Sequence, residues 1–234
     1  MNHYNAENSS DSDWDDRGPL VWGEREWQRY LKHVDTDVAR FITLYQKLKY
    51  RPDHMDEVAR LMGWARREGG FTDTFSDTET PYFDTENLFQ EEEEDELVEV
   101  YTIHKHPLYV ISRGLSVYLT KYWELLMERD QDRVARELSW DFVVNLNDAE
   151  RNAILAVYAL DLGDASLPIC MLKRALRSLN ATLACLQKIP EGLTEKQQNL
   201  FTFFVKDASM VLFDMRELWL HVMQYCREEN SRRS

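Results

Sequence analysis

The sequence predicts an all-α fold, and two observations carry that reading. The 234 residues include only 8 Gly and 6 Pro, whereas a chain of short strands needs turn residues every ten positions or so. Between those sparse breakers run long segments with apolar residues three and four apart, the period of a helix with one inward face. With 44% hydrophobic residues the chain can bury a sizeable core.

The longest such segment is 194–227, where Leu200, Phe204, Ala208, Val211, Met215, Leu218, Val222 and Tyr225 share one stripe. Thr194 is placed to cap its start. A helix of about 33 residues is roughly 50 Å long, so other long helices must lie beside it. In chain order, helix A is expected over 23–50, with Trp27, Leu31, Val34, Val38, Phe41, Tyr45 and Leu48 inward, and Pro52 ends it. Asp53 caps a shorter helix B that reaches Arg67 and stops at Gly69-Gly70. Helix C starts at Pro107, a residue favoured at the first helical position, and carries Leu108, Ile111, Leu115, Tyr118, Tyr122 and Leu125 to about Arg129. Helix D follows from an Asp130 cap to Gly163. A break is expected near Asn147, which with Glu150 has the form of a capping box. Helix E spans 165–189 on Ile169, Leu172, Leu176, Leu179, Leu183 and Leu186, and Pro190 with Gly192 turns the chain into helix F. The expected architecture is an antiparallel bundle of four long helices, A, C, E and F, with B and D as accessory helices and a long acidic interhelical segment.

Charge is segregated along the chain. Residues 1–21 hold five acidic groups against one basic, a balance of −4, and residues 68–99 hold thirteen against none, a balance of −13. The rest of the chain therefore carries +3 of the overall −14. This composition predicts a disordered acidic tail over 1–21 and a single helical-bundle domain over 22–234, interrupted by an acidic flexible insertion over 71–99. Acidic and apolar residues alternate as they do in interaction segments. Trp14 in the tail, and Tyr82, Phe83 and Phe89 ahead of Glu91, Glu92, Glu93 and Glu94, are the candidate contact residues.

No stretch approaches the roughly 18 consecutive apolar residues of a membrane span. The polar, acidic start is unlike a signal or transit peptide, and three cysteines without motif spacing read as reduced thiols. The expectation is a cytoplasmic protein with no membrane contact. A body charge of +3 beside so many acids argues against nucleic acid as a partner.

Chemistry-bearing groups are few. Asp214, Glu217 and His221 run along one stripe of helix F, and His104-x-His106 precedes helix C, so these five are the candidate ligands of a mixed nitrogen and oxygen metal site. Trp27, Tyr30, Tyr45, Tyr118, Tyr122, Trp123 and Trp219 are the aromatics available to surround a small ligand. There is no Gly-rich phosphate loop and no serine-nucleophile signature. Arg216 and His221, separated by four residues, look like the Arg-x₄₋₆-His motif of HEPN-domain ribonucleases. That resemblance covers two residues and implies that Arg216 holds phosphate while His221 assists attack by the ribose hydroxyl. The reading the sequence favours is a non-catalytic protein-interaction or regulatory helical module without a cofactor. It has a protein partner and room for a homodimer face at Leu126, Phe201 and Phe203. A metal- or ligand-binding bundle and a ribonuclease are the alternatives.

Overall fold

The computed structural model describes residues 23–64, 102–130, 134–188 and 195–233. Among them every regular element is helical: α1 (Glu24–Leu48), α2 (His54–Leu61), a 3₁₀ turn (Ile103–Lys105), α3 (Pro107–Asp130), α4 (Arg136–Asp161), α5 (Leu167–Leu186) and α6 (Glu195–Arg233). Trp14, Tyr82, Phe83, Phe89 and Glu91 to Glu94 lie outside the described residues, as does the rest of the acidic segment. None of the described helices is long and apolar enough to cross a membrane.

The described residues divide into two compact units, one ending at Thr36 and the other beginning at Asp37, and the division falls inside α1. In the first, Trp27 meets Tyr30 edge-on at 5.8 Å. In the second, α3 packs against α4 and α6, and α5 packs against the same two. The ties give the pairs a direction. Trp219 Nε1 donates to Ser112 Oγ at 3.1 Å and Tyr118 Oη donates to Asp207 at 2.6 Å, so α3 and α6 advance in opposite senses. Likewise Arg113 reaches Glu150 at 2.7 Å and Trp123 Nε1 reaches Ser139 Oγ at 3.1 Å. The central aromatic contact is Trp123 stacked on Phe142, with ring centroids 4.3 Å apart and Phe204 alongside at 5.5 Å.

Several expected boundaries move. Helix α4 runs 26 residues without a break, because the Glu150 carboxylate turns across to Arg113 instead of back to the backbone at Asn147. No capping box forms, and α4 is a full-length helix rather than an accessory one. Helix α2 is shorter than expected. Gly63, at φ 79°, ends it, with Gly63 N–H on the Arg60 carbonyl at 3.1 Å and Trp64 N–H on Ala59 at 2.9 Å. That pair of bonds is a Schellman motif, which needs the left-handed conformation glycine adopts freely. It also turns Trp64 inward to stack on Phe41, centroids 6.1 Å apart. Gly163, at φ 74°, ends α4 in the same way, as the sequence predicts. Of the residues expected on a homodimer face, Leu126 and Phe201 are buried and Phe203 is exposed.

Gly114 sets the approach of α1 to α3. A Cβ there would sit 2.5 Å from Phe41 Cδ1, and Phe41 is fully buried between Tyr45 and Trp64, both stacked on it. The ring has nowhere to swing. Gly114→Ala is therefore expected to overpack this contact and cost about 1–3 kcal/mol, read as a lower urea midpoint.

Candidate functional site

The chemistry-bearing side chains collect where the end of α1 and the start of α2 meet α3 and α6. Tyr45 on α1 and Lys49, in the turn just past its end, stand four apart, with Lys49 N–H on the Tyr45 carbonyl, and Asp207 and Asp214 stand seven apart on α6, so the members of each pair share a face. Lys49 Nζ donates to Asp207 Oδ1 and, at 3.0 Å, to Tyr118 Oη. Tyr118 Oη in turn donates to Asp207 Oδ2 at 2.6 Å. Two turns along, Asp214 Oδ2 accepts from Tyr45 Oη at 2.5 Å and from His54 Nε2 at 3.0 Å. The other ring nitrogen of His54 lies 2.9 Å from the Arg51 carbonyl. A carbonyl and a carboxylate both only accept, so His54 satisfies both contacts only as the imidazolium, with both ring nitrogens donating.

Burial decides what this cluster is. Lys49 is 7% exposed and Asp207 2%, whereas His54 and Asp214 are 15% and 11% exposed. A charge in the first pair has little access to water, and only its partner offsets the lost hydration. Burial alone would lower the Lys49 ammonium, but its bonds to Asp207 and Tyr118 outweigh that and hold it above its ordinary value. Burial pushes Tyr118 up to about 12, helped by its bond to Asp207, and raises Tyr45 further still, with Asp214 adding to the shift. The bond to Asp214 raises His54 above its ordinary value of 6.5, against burial that would lower it. The arrangement is two ion pairs, each with a tyrosine hydroxyl on its carboxylate, whose tyrosine rings meet edge-on at 6.5 Å, and it fastens α1 and α2 to α3 and α6.

The two histidines on α2 and before α3 pull stability in opposite directions with pH. His54 is raised in the fold, so its contribution is fully present below about pH 6.5 and is lost as pH rises through the folded value. Burial pushes His106 down to about 4, so the unfolded chain binds that proton first and stability is lost as pH falls from about 6.5 to 4, by on the order of 3 kcal/mol. The urea midpoint of the wild-type protein is expected to fall on both sides of a maximum. In His54→Gln the alkaline fall should vanish while the acid fall stays.

The sequence candidates are separated in space. Asp214 joins Tyr45 and His54, while Glu217 and His221 are exposed. His104 lies edge-on to Tyr109 at 4.9 Å. His106, neutral, accepts the Leu108 N–H on Nδ1 at 3.1 Å and so serves the start of α3. Among the described residues no three His, Cys, Asp or Glu side chains come together where they could hold a metal ion. Arg216 and His221 are both exposed, five positions apart and so about 140° apart around the helix axis. Of the aromatics, Tyr45, Tyr118 and Tyr122 gather at the polar cluster, and Trp123 and Trp219 are buried core. Cys170 is exposed, Cys185 and Cys226 are buried, and all three are free thiols. Lys49, Asp207 and His54 escape a search for site spacings. Their available signal was charge at inward positions, since Asp207 falls three after Phe204 and four before Val211.

A second feature stands on α4. Its buried side holds Phe142, Leu146, Ala149, Ala153, Ala156 and Val157. Trp140, Val144, Leu155, Tyr158 and Leu162 are exposed instead, Trp140 at 69% and Leu162 at 83%. With Asn147 and Arg151 between them, these seven positions fall within an arc of about 80°, roughly opposite the buried side. A shallow hollow lined by Asn147, Glu150, Arg151, Ile154 and Leu155 runs beside this stripe. The exposed apolar residues of α6, Phe203, Phe213 and Leu220, are by contrast ten and seven positions apart.

Comparison with protein-family models, with curated proteins and with solved structures finds no match for this chain.

Proposed function

We infer that this chain is a non-catalytic, cytoplasmic helical module that acts by protein contact. The single observation that carries this reading is the second apolar stripe of α4, outward-facing over six turns. A helix with one apolar face has satisfied it by packing; a helix with two opposite apolar faces has one left for a partner. In this reading α3 to α6 form an antiparallel bundle, the acidic 1–21 and 71–99 segments precede it in the sequence, and the polar cluster is a latch rather than a reactive centre. The pairing of Lys49 with Asp207 and of His54 with Asp214 supports that role.

The test is proximity labelling in cells with the full chain carrying Trp140→Glu and Leu155→Glu. Both side chains are exposed, so stability should stay within about 0.5 kcal/mol of wild type while the set of labelled neighbours is lost. Arg216→Ala with His221→Ala should leave that set unchanged. Neighbours that survive the α4 substitutions and disappear with the α6 ones would overturn the reading.

A further inference from the structure

We propose that the partner of the outward α4 stripe is a second copy of this chain, bound antiparallel across a two-fold axis near residue 149; this rests on the reading of that stripe as a contact face. The argument begins with the order of residues along it. Trp140, Val144, Asn147, Arg151, Ile154 and Tyr158 follow four-three-four-three-four spacing, the repeat of a two-helix seam, with Leu155 and Leu162 flanking. Reversed against itself, the seam places Trp140 of one copy on Tyr158 of the other. Val144 then lies on Ile154 and Leu155, and Asn147 lies beside Arg151. Within the seam every apolar position meets an apolar one, while Leu162 at the end of the stripe faces Arg136 of the other copy.

Charge favours the same antiparallel direction, with Asp148 one position from directly facing the other copy's Arg151. The stripe's centre holds Asp148 and Arg151, paired within the helix at 2.9 Å and 41% and 69% exposed. They carry opposite charge, so the antiparallel copy sets each Asp148 beside the other copy's Arg151, twice over by symmetry. A parallel copy in register would set arginine against arginine. Trp140 to Leu162 spans about 33 Å, and a helix face about 10 Å wide then covers roughly 330 Å² per copy. That is below the ~800 Å² per partner of a standard stable interface, which makes the self-association a weak one that needs high concentration.

The experiment is sedimentation equilibrium of the full chain from micromolar to several hundred micromolar, with helicity followed by circular dichroism. Wild type should rise from the 27.8 kDa monomer mass towards twice that value, and Trp140→Glu with Leu155→Glu should remain monomeric. Asp148→Arg alone and Arg151→Asp alone should each remain monomeric with unchanged helicity, since both positions are exposed. Mixed in equal amounts, those two variants should associate at least as strongly as wild type, because each mixed pair restores both cross-copy charge contacts. A wild-type chain that stays monomeric throughout overturns the proposal. So does a dimer indifferent to the Trp140 and Leu155 substitutions, or a mixture no more associated than its parts. If the chain stays monomeric while those substitutions still abolish labelling of neighbours in cells, only self-pairing falls. If they leave the neighbours untouched, the contact-face reading itself falls.

Discussion

Asp207→Ala is expected to destabilise the fold by about 3–5 kcal/mol, the cost of leaving a buried charge without its partner. Lys49 is 7% exposed and would keep its ammonium beside Tyr118 and Tyr50 with no carboxylate to offset lost hydration. Tyr118 would lose its acceptor in the same step. The effect is specific to the removal of one partner. Lys49→Met with Asp207→Leu fills the same space without charge, and replacing a buried pair by apolar residues is commonly neutral or better, so the double variant should recover most of the loss. Asp214→Ala should cost less, about 1–3 kcal/mol, because His54 and Asp214 retain some access to water. Urea denaturation of the three variants gives the order directly: Asp207→Ala worst, Asp214→Ala intermediate, the double variant nearest wild type. A double variant as unstable as Asp207→Ala would mean that packing at this site, and not charge, sets the cost.

Trp123→Ala is expected to cost a similar 3–5 kcal/mol. Its ring is 2% exposed, stacks on Phe142, lies beside Phe204 and donates to Ser139. One side chain thus joins α3, α4 and α6. Truncation leaves a void that three fully packed helices cannot close, and leaves Ser139 without its donor. Trp140→Ala is the control: the same residue type on α4, 69% exposed, for which the change should stay within about 0.5 kcal/mol. Thermal or urea unfolding followed by circular dichroism separates the two. Comparable losses in both variants would mean that the outward face of α4 is covered within the monomer.

These two tryptophans also show how far the sequence could be read. Trp123 lies one position off the main stripe of α3, and Trp140 falls between Leu138 and Phe142 of α4, off the stripe those two share. Periodicity gave the helices, with Pro107 and Gly163 marking ends where the structure places them. It did not separate core from surface on α4, because a helix with two opposite apolar faces has no single preferred direction. The expected break at Asn147 failed for a related reason. Glu150 fits a capping box locally, but Arg113 on α3 is a better partner than a backbone amide, and that competitor lies 37 positions away. The polar cluster was hidden by the same distance: Lys49 and Asp207 are 158 positions apart, and neither belongs to a motif of fixed spacing. Helical spacing aligns Asp214 with Glu217 and His221, yet its partners Tyr45 and His54 come from the other end of the chain. Spacing along one helix identifies a shared face, and only packing identifies what faces it.

The claim that α4 presents its outward stripe to another protein is tested most directly by photo-crosslinking in cells. A photoreactive phenylalanine analogue would replace Trp140 or Tyr158 on α4 and, in parallel chains, Arg216 or His221 on α6, all four being exposed. The account predicts covalent adducts of defined mass from positions 140 and 158 and none from 216 and 221. Adducts confined to 216 and 221 would contradict it, and would move the working surface of this protein from α4 to α6.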